Sequence, residues 1–138
     1  MLRVKKDIIC IIVLIAYIVF IFFYAVLSRN SGVVTPLRLE LFWGYNNPPE
    51  HIYKDNILNI ISFIPIGVLT GLIFKKNGLL KVMFVGLGVS LTIELSQLIW
   101  KRGVFDVDDL FNNTVGAIVG GLLVWTMLSV MEKRRVRD

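Results

Sequence analysis

Long apolar runs separated by short polar segments dominate the chain. Crossing a hydrocarbon core about 30 Å thick takes about 20 apolar residues in a helix. Four windows meet that length: Ile8 to Leu27, Ile57 to Phe74, Leu79 to Trp100 and Thr114 to Met131. The pattern predicts an all-α integral membrane bundle of four transmembrane helices, forming a single membrane domain over 1–138. The first run follows Arg3, Lys5 and Lys6 and so has the flanks of a signal peptide. A cleavable apolar core is only about 7 to 15 residues long and ends at small residues. This one ends Val26-Leu27-Ser28-Arg29, which predicts an uncleaved first span. A turn around Asn77 and Gly78 predicts that the second and third spans form an antiparallel hairpin.

Composition strengthens the membrane reading. Of 138 residues, 56% are hydrophobic and 18% charged, with a mean hydropathy of +0.73, too apolar for a soluble domain of this length. The net charge of +5 would suit nucleic acid, but its distribution points elsewhere. Arg3, Lys5, Lys6, Lys75, Lys76, Lys81, Lys133, Arg134, Arg135 and Arg137 all fall on one side of the four-span arrangement. The positive-inside rule makes that side, and both termini, cytoplasmic. A basic rim beside anionic lipid accounts for the excess charge without nucleic acid. The single cysteine, Cys10, lies inside the first span and reads as a small hydrophobe.

The connection from Ser28 to Asn56 is the longest and is predicted to be outside. Leu37, Leu39, Leu41, Phe42, Trp43 and Tyr45 interleave with Arg38 and Glu40, the composition of an interfacial segment at headgroup level. Asn46, Asn47, Pro48 and Pro49 then break it. An anchor is the simpler reading of the segment and a lid over a polar site the sharper one. His51, in the same loop, reads as a surface residue.

Within this apolar frame a few polar positions stand out. From Val82 to Trp100 the one ionisable group is Glu94, and a carboxyl at that depth costs about 2.5 to 3.5 kcal/mol unless it faces a partner or water. Ser90, Glu94, Gln97 and Lys101 fall on one helical stripe. Asn56, Asn59 and Ser62 occupy the outer end of the second span, where Pro65 predicts a kink beside them. Asp106, Asp108 and Asp109 open the fourth span, followed by Asn112, Asn113 and Thr114. One or two of these aspartates are explained by capping and the helix dipole. Gly116 and Gly120 make a face for close helix packing, serving either an internal contact or a homo-oligomer.

The predicted binding set is therefore Asn56, Asn59, Glu94, Gln97, Arg102, Asp106, Asp109 and Asn113, with Glu94 expected within reach of Asn59 or Asn113. Arg102 can pair with a loop aspartate in a charge-assisted contact. The set can serve as a lock between helices or as a site for a polar headgroup.

The order of these segments resembles the VanZ-like family. The resemblance runs through Asn59-Ile-Ile-Ser-Phe63-Ile-Pro65-Ile-Gly67, then Glu94-Leu-Ser-Gln97. It continues with Arg102, Asp106-Val-Asp108-Asp109 and Asn113-Thr114-Val-Gly116-Ala-Ile-Val-Gly120, over about residues 35–124. Thr35-Pro36-Leu37 is similar to the family's outer-loop motif. The short basic loop after Gln97 and the doubled Asn112 depart from the pattern. The resemblance implies a multi-pass protein of the bacterial cell membrane, in a family associated with low-level teicoplanin resistance and without an established reaction.

Three functions fit this reading. A non-enzymatic protein would bind a membrane lipid, or a lipid-linked cell-wall precursor, through the outward polar pocket and so change antibiotic access. Lys101 and Arg102 would hold an anionic headgroup there, with Asn56, Asn59 and Gln97 as hydrogen-bonding groups. An enzyme would use Glu94 as general acid or base, with Asp109 a further catalytic candidate and Asp106, Asp108 and Asp109 as candidate ligands of a divalent cation. No full ligand set accompanies that cluster, and the cofactor is unassigned. A proton-coupled transporter is the third, for which four short spans make a poor path.

Overall fold

Helix α1 runs from Leu2 to Phe22 and continues as a single wider π-helical turn, Phe23–Leu27. The remaining long helices are α3 (Glu50–Phe74), α4 (Leu79–Ile99) and α5 (Val107–Arg135). A two-residue strand β1 (Leu37–Arg38), a single helical turn α2 (Trp43–Asn46) and a second short strand β2 (Phe105–Asp106) complete the described elements. The computed structural model describes residues 2–32, 37–46, 50–75 and 78–135. Thr35, Pro36, Asn77 and the Asn47–Pro49 stretch lie outside the described residues, as does the side chain of His51.

Four helices are long and apolar enough to cross a membrane: Val4–Leu27, Lys54–Phe74, Leu79–Ile99 and Val107–Arg135. The protein is a multi-pass membrane protein of the all-α class. The fourth span begins seven residues earlier than the hydropathy pattern predicts. Asp106 supplies the reason: its Oδ1 accepts the Asp108 backbone amide at 2.9 Å, so it caps the helix and draws Asp108 and Asp109 into the first turn. Pro65 does not interrupt α3, which is continuous to Phe74.

Small residues set the packing. Helix α5 makes its most extensive pairing with α3 and also packs on α4. A Cβ placed on Gly116 would run into the Ile60 carbonyl, and one on Gly120 into the Ile64 carbonyl. One on Gly67 would meet the Ala117 carbonyl from the other side. The glycine face is therefore spent inside the chain on α3, the first of the two uses the sequence left open. The core then closes over Ile21, Val26, Phe63, Ile66 and Ile93, joining α1 to α3 and α4.

Helix α1 is the loosest element. It touches α3 more than any other helix, and most of its apolar surface faces outward, as a lipid-facing span requires. At its start Asp7 Oδ1 lies 3.3 Å from Lys75 Nζ at the end of α3. Its other end is held by the last turn of α4 and the connection that follows it. Gln97 Nε2 donates to the Ala25 carbonyl at 3.1 Å, and Arg102 Nη1 donates to the carbonyls of Leu27 (2.5 Å) and Arg29 (3.2 Å). The last carbonyls of any helix lack intrahelical partners, and here Gln97 of α4 and Arg102 of the following connection meet that need.

Candidate functional site

The segment 37–46 does more than rest at an interface. β1 pairs in parallel with β2, Leu37 opposite Phe105 and Arg38 opposite Asp106. Arg38 Nη1 then reaches Asp106 Oδ2 at 2.8 Å, with its guanidinium 4.1 Å from the centre of the Trp43 ring. The Phe42 amide donates to Asp108 Oδ1 at 2.5 Å and the Tyr45 hydroxyl to Asn112 Oδ1 at 2.6 Å. Edge-on contact of the Phe42 ring with Phe111 completes the attachment. The outer segment is thus strapped across the first two turns of α5.

This arrangement separates the three aspartates proposed as metal ligands. Asp106 serves Arg38 and the helix cap, Asp108 serves the strap, and Asp109 Oδ1 accepts Asn59 Nδ2 at 2.6 Å. Among the described residues no group of three or more His, Cys, Asp or Glu side chains converges as a metal site. Burial pushes the Asp106 carboxyl above the ordinary carboxylate range, opposed by the Asp108 amide and the Arg38 guanidinium, which favour its charged form.

Glu94 is almost fully buried, at 1% exposure, and its partner differs from the expected asparagines. Its Oε2 accepts the backbone amide of Asp106 at 2.9 Å. Asn113 instead donates to Ser90 Oγ at 2.9 Å, and Asn59 is turned to Asp109. Two further expectations are corrected. Arg102 pairs with backbone carbonyls of the α1 end rather than with a loop aspartate. Lys101 leaves the stripe of Ser90, Glu94 and Gln97, because α4 ends at Ile99 and Lys101 sits exposed at a φ of 53°.

These side chains surround one cleft of about 780 Å³, walled by residues of α1, α3, α4 and α5. All eight predicted binding residues, Asn56, Asn59, Glu94, Gln97, Arg102, Asp106, Asp109 and Asn113, line it. Its other portion is apolar and aromatic, with Tyr17, Phe20, Ile21, Leu58, Phe63 and Ile93. Tyr17 spans the gap by donating to the Ser62 carbonyl at 3.0 Å. Arg29, Arg38 and Asp55 also line the cleft and escaped the sequence reading of the site. Arg29 and Arg38 lie in the outer connection and Asp55 in the second turn of α3, all far from the Glu94 stripe in sequence, and only Arg38 carried a signal, as a charge within an apolar outer segment.

The cleft retains unused bonding capacity. Asn56 Nδ2, Gln97 Oε1 and Asn113 Oδ1 are buried with no partner among the described residues. Leaving such a group unpaired costs about 1 to 3 kcal/mol, so a molecule entering the cleft with matching groups recovers that loss.

Residues 8–129 match the family model described as VanZ/LLP1. Over 97 residues the chain is 35% identical to Protein VanZ of Enterococcus faecium, covering 70% of this chain and 57% of that protein. The chain thus spans a little over half the length of that curated relative. No solved structure matches.

Proposed function

The chain belongs to the VanZ/LLP1 family, and on that premise we propose that it binds a cell-envelope lipid in the cleft between α1 and α3. The headgroup occupies the chamber around Asn56, Asn59, Glu94 and Asp109, and the first part of an acyl or prenyl tail lies along Tyr17, Phe20, Leu58 and Phe63. The protein sits in the bacterial cell membrane with this end outward and both termini in the cytoplasm. The charge pattern supports that orientation, with the lysine- and arginine-rich ends of α1, α3 and α5 on the opposite side. By holding such a lipid, or a lipid-linked cell-wall precursor, it changes the access of a glycopeptide such as teicoplanin to the envelope.

One observation carries this reading: a single cleft in a membrane helix bundle is polar at one end and aromatic and apolar at the other. A soluble ligand has no use for the second half, and lipid-facing packing has no use for the first. The test is native mass spectrometry of the protein released from its own membrane. Wild type is expected to carry a lipid, and Ser62→Phe, which fills the middle of the cleft, about tenfold less of it at equal thermal stability. Teicoplanin tolerance should fall in the same variant. Equal lipid retention by both proteins overturns the proposal.

A further inference from the structure

The polar chamber is unbalanced in a way that identifies the headgroup it suits, given the lipid-binding reading above. Its remaining hydrogen-bonding capacity is mostly acceptor. Glu94 uses one oxygen on the Asp106 amide and Asp109 uses one on Asn59, and neither second oxygen has a partner among the described residues. Gln97 Oε1 and Asn113 Oδ1 are two more unpaired acceptors, on side chains only 2% and 4% exposed. Against these four stands one amide donor, Asn56 Nδ2.

Charge runs the same way. Among the arginines lining the cleft, Arg38 is engaged by Asp106 and Arg102 by the carbonyls of Leu27 and Arg29. Arg29 is exposed, as is Asp55; its guanidinium makes no hydrogen bond or salt bridge among the described residues, and its charge acts on Glu94 and Asp109 only from a distance. The interior holds the carboxyls of Glu94 and Asp109, and the Arg29 cation stands toward solvent.

Three headgroup chemistries meet this chamber differently. A phosphate brings only acceptors and negative charge, which the chamber already has in excess. A sugar hydroxyl brings an acceptor with every donor and no charge, so the excess stays. A protonated primary amine brings three donors, no acceptor and the missing positive charge.

We propose that the chamber receives the ammonium group of a zwitterionic, amine-bearing lipid, held by Glu94, Asp109 and the Gln97 and Asn113 amide oxygens, with the lipid phosphate at the cleft mouth on Arg29. The polar chamber then reads the amine, and the Tyr17 to Phe63 wall takes the tail whatever its headgroup.

The protein in detergent micelles is titrated with phosphatidylethanolamine, phosphatidylglycerol, phosphatidylcholine and a diglucosyl diacylglycerol of the same acyl chains, and bound lipid is read by native mass spectrometry. Phosphatidylethanolamine should be retained about tenfold over each of the others, the scale of a charge-assisted contact that only it makes in full. Phosphatidylcholine keeps the positive charge but has no N–H, so it separates hydrogen bonding from charge without touching the protein. In the double variant Glu94→Gln, Asp109→Asn, the four lipids should bind alike. Both substitutions keep an acceptor for the Asp106 amide and for Asn59. Preference for phosphatidylglycerol or the glycolipid, or equal retention of phosphatidylcholine and phosphatidylethanolamine, overturns the amine assignment and leaves lipid binding standing. Failure of wild type to retain any of the four, or equal retention by Ser62→Phe, overturns the lipid reading itself.

Discussion

Glu94 and Asp106 are joined by a 2.9 Å hydrogen bond from the Asp106 amide to the Glu94 carboxyl, linking the middle of the polar end to the start of α5. Asp106 in turn holds Arg38 of the outer segment. One buried carboxyl thus positions a loop, a helix start and a strap.

Removing the Glu94 carboxyl should therefore separate architecture from binding. Glu94→Ala leaves the Asp106 amide buried without an acceptor and is expected to cost about 1 to 3 kcal/mol. Glu94→Gln keeps an acceptor oxygen and should melt close to wild type while losing the charged contact to a ligand. Thermal unfolding in detergent, measured beside lipid retention, checks both.

The α3–α5 contact should tolerate nothing larger than glycine. Gly116→Leu or Gly120→Leu drives a side chain into the Ile60 or Ile64 carbonyl and should destabilise the bundle by at least about 2 kcal/mol, seen as loss of monodisperse protein. Gly88 faces open space, so Gly88→Ala should leave stability unchanged or slightly raised.

Asp106 gives the outer strap a pH dependence whose sign follows from its raised pKa. The folded state holds this proton more tightly than the unfolded chain does. Its contribution therefore favours folding at low pH and is lost as pH rises from the ordinary carboxylate range through the raised folded value. Arg38→Ala removes a cation that favours the charged form, so the carboxyl should titrate at still higher pH. Carboxyl-carbon NMR of selectively labelled protein measures both values.

The end of α1 should loosen when its carbonyl partners are removed. In Arg102→Ala the carbonyls of Leu27 and Arg29 lose their donor, and in Gln97→Ala the Ala25 carbonyl does. Amides of residues 23–28 are expected to exchange about tenfold faster, with those of α5 unchanged. Hydrogen exchange followed by mass spectrometry resolves the two regions.

Much of the bundle was legible in the chain because bilayer crossing is a local demand. A run of apolar residues long enough to span is nearly sufficient, which is why the four helices and the stripe of Ser90, Glu94 and Gln97 appear in the sequence. The identity of the polar side chains was legible for the same reason, since Glu94 in an apolar run requires a partner wherever it lies. What remained hidden was which partner each group takes. The register of Leu37 with Phe105, the capture of the Ala25 and Leu27 carbonyls by Gln97 and Arg102, and the division of the three aspartates among separate tasks join residues far apart along the chain. Hydrogen bonds are directional over about 3 Å, so their pairing depends on how helices rotate and approach, and that is set by glycine contacts such as Gly116 on Ile60. Sequence determined that this protein lies in a membrane and carries a polar centre there. Only the tertiary structure decided that α1 closes one cleft with α3 and α4 around that centre, because no local pattern encodes how separate helices approach one another.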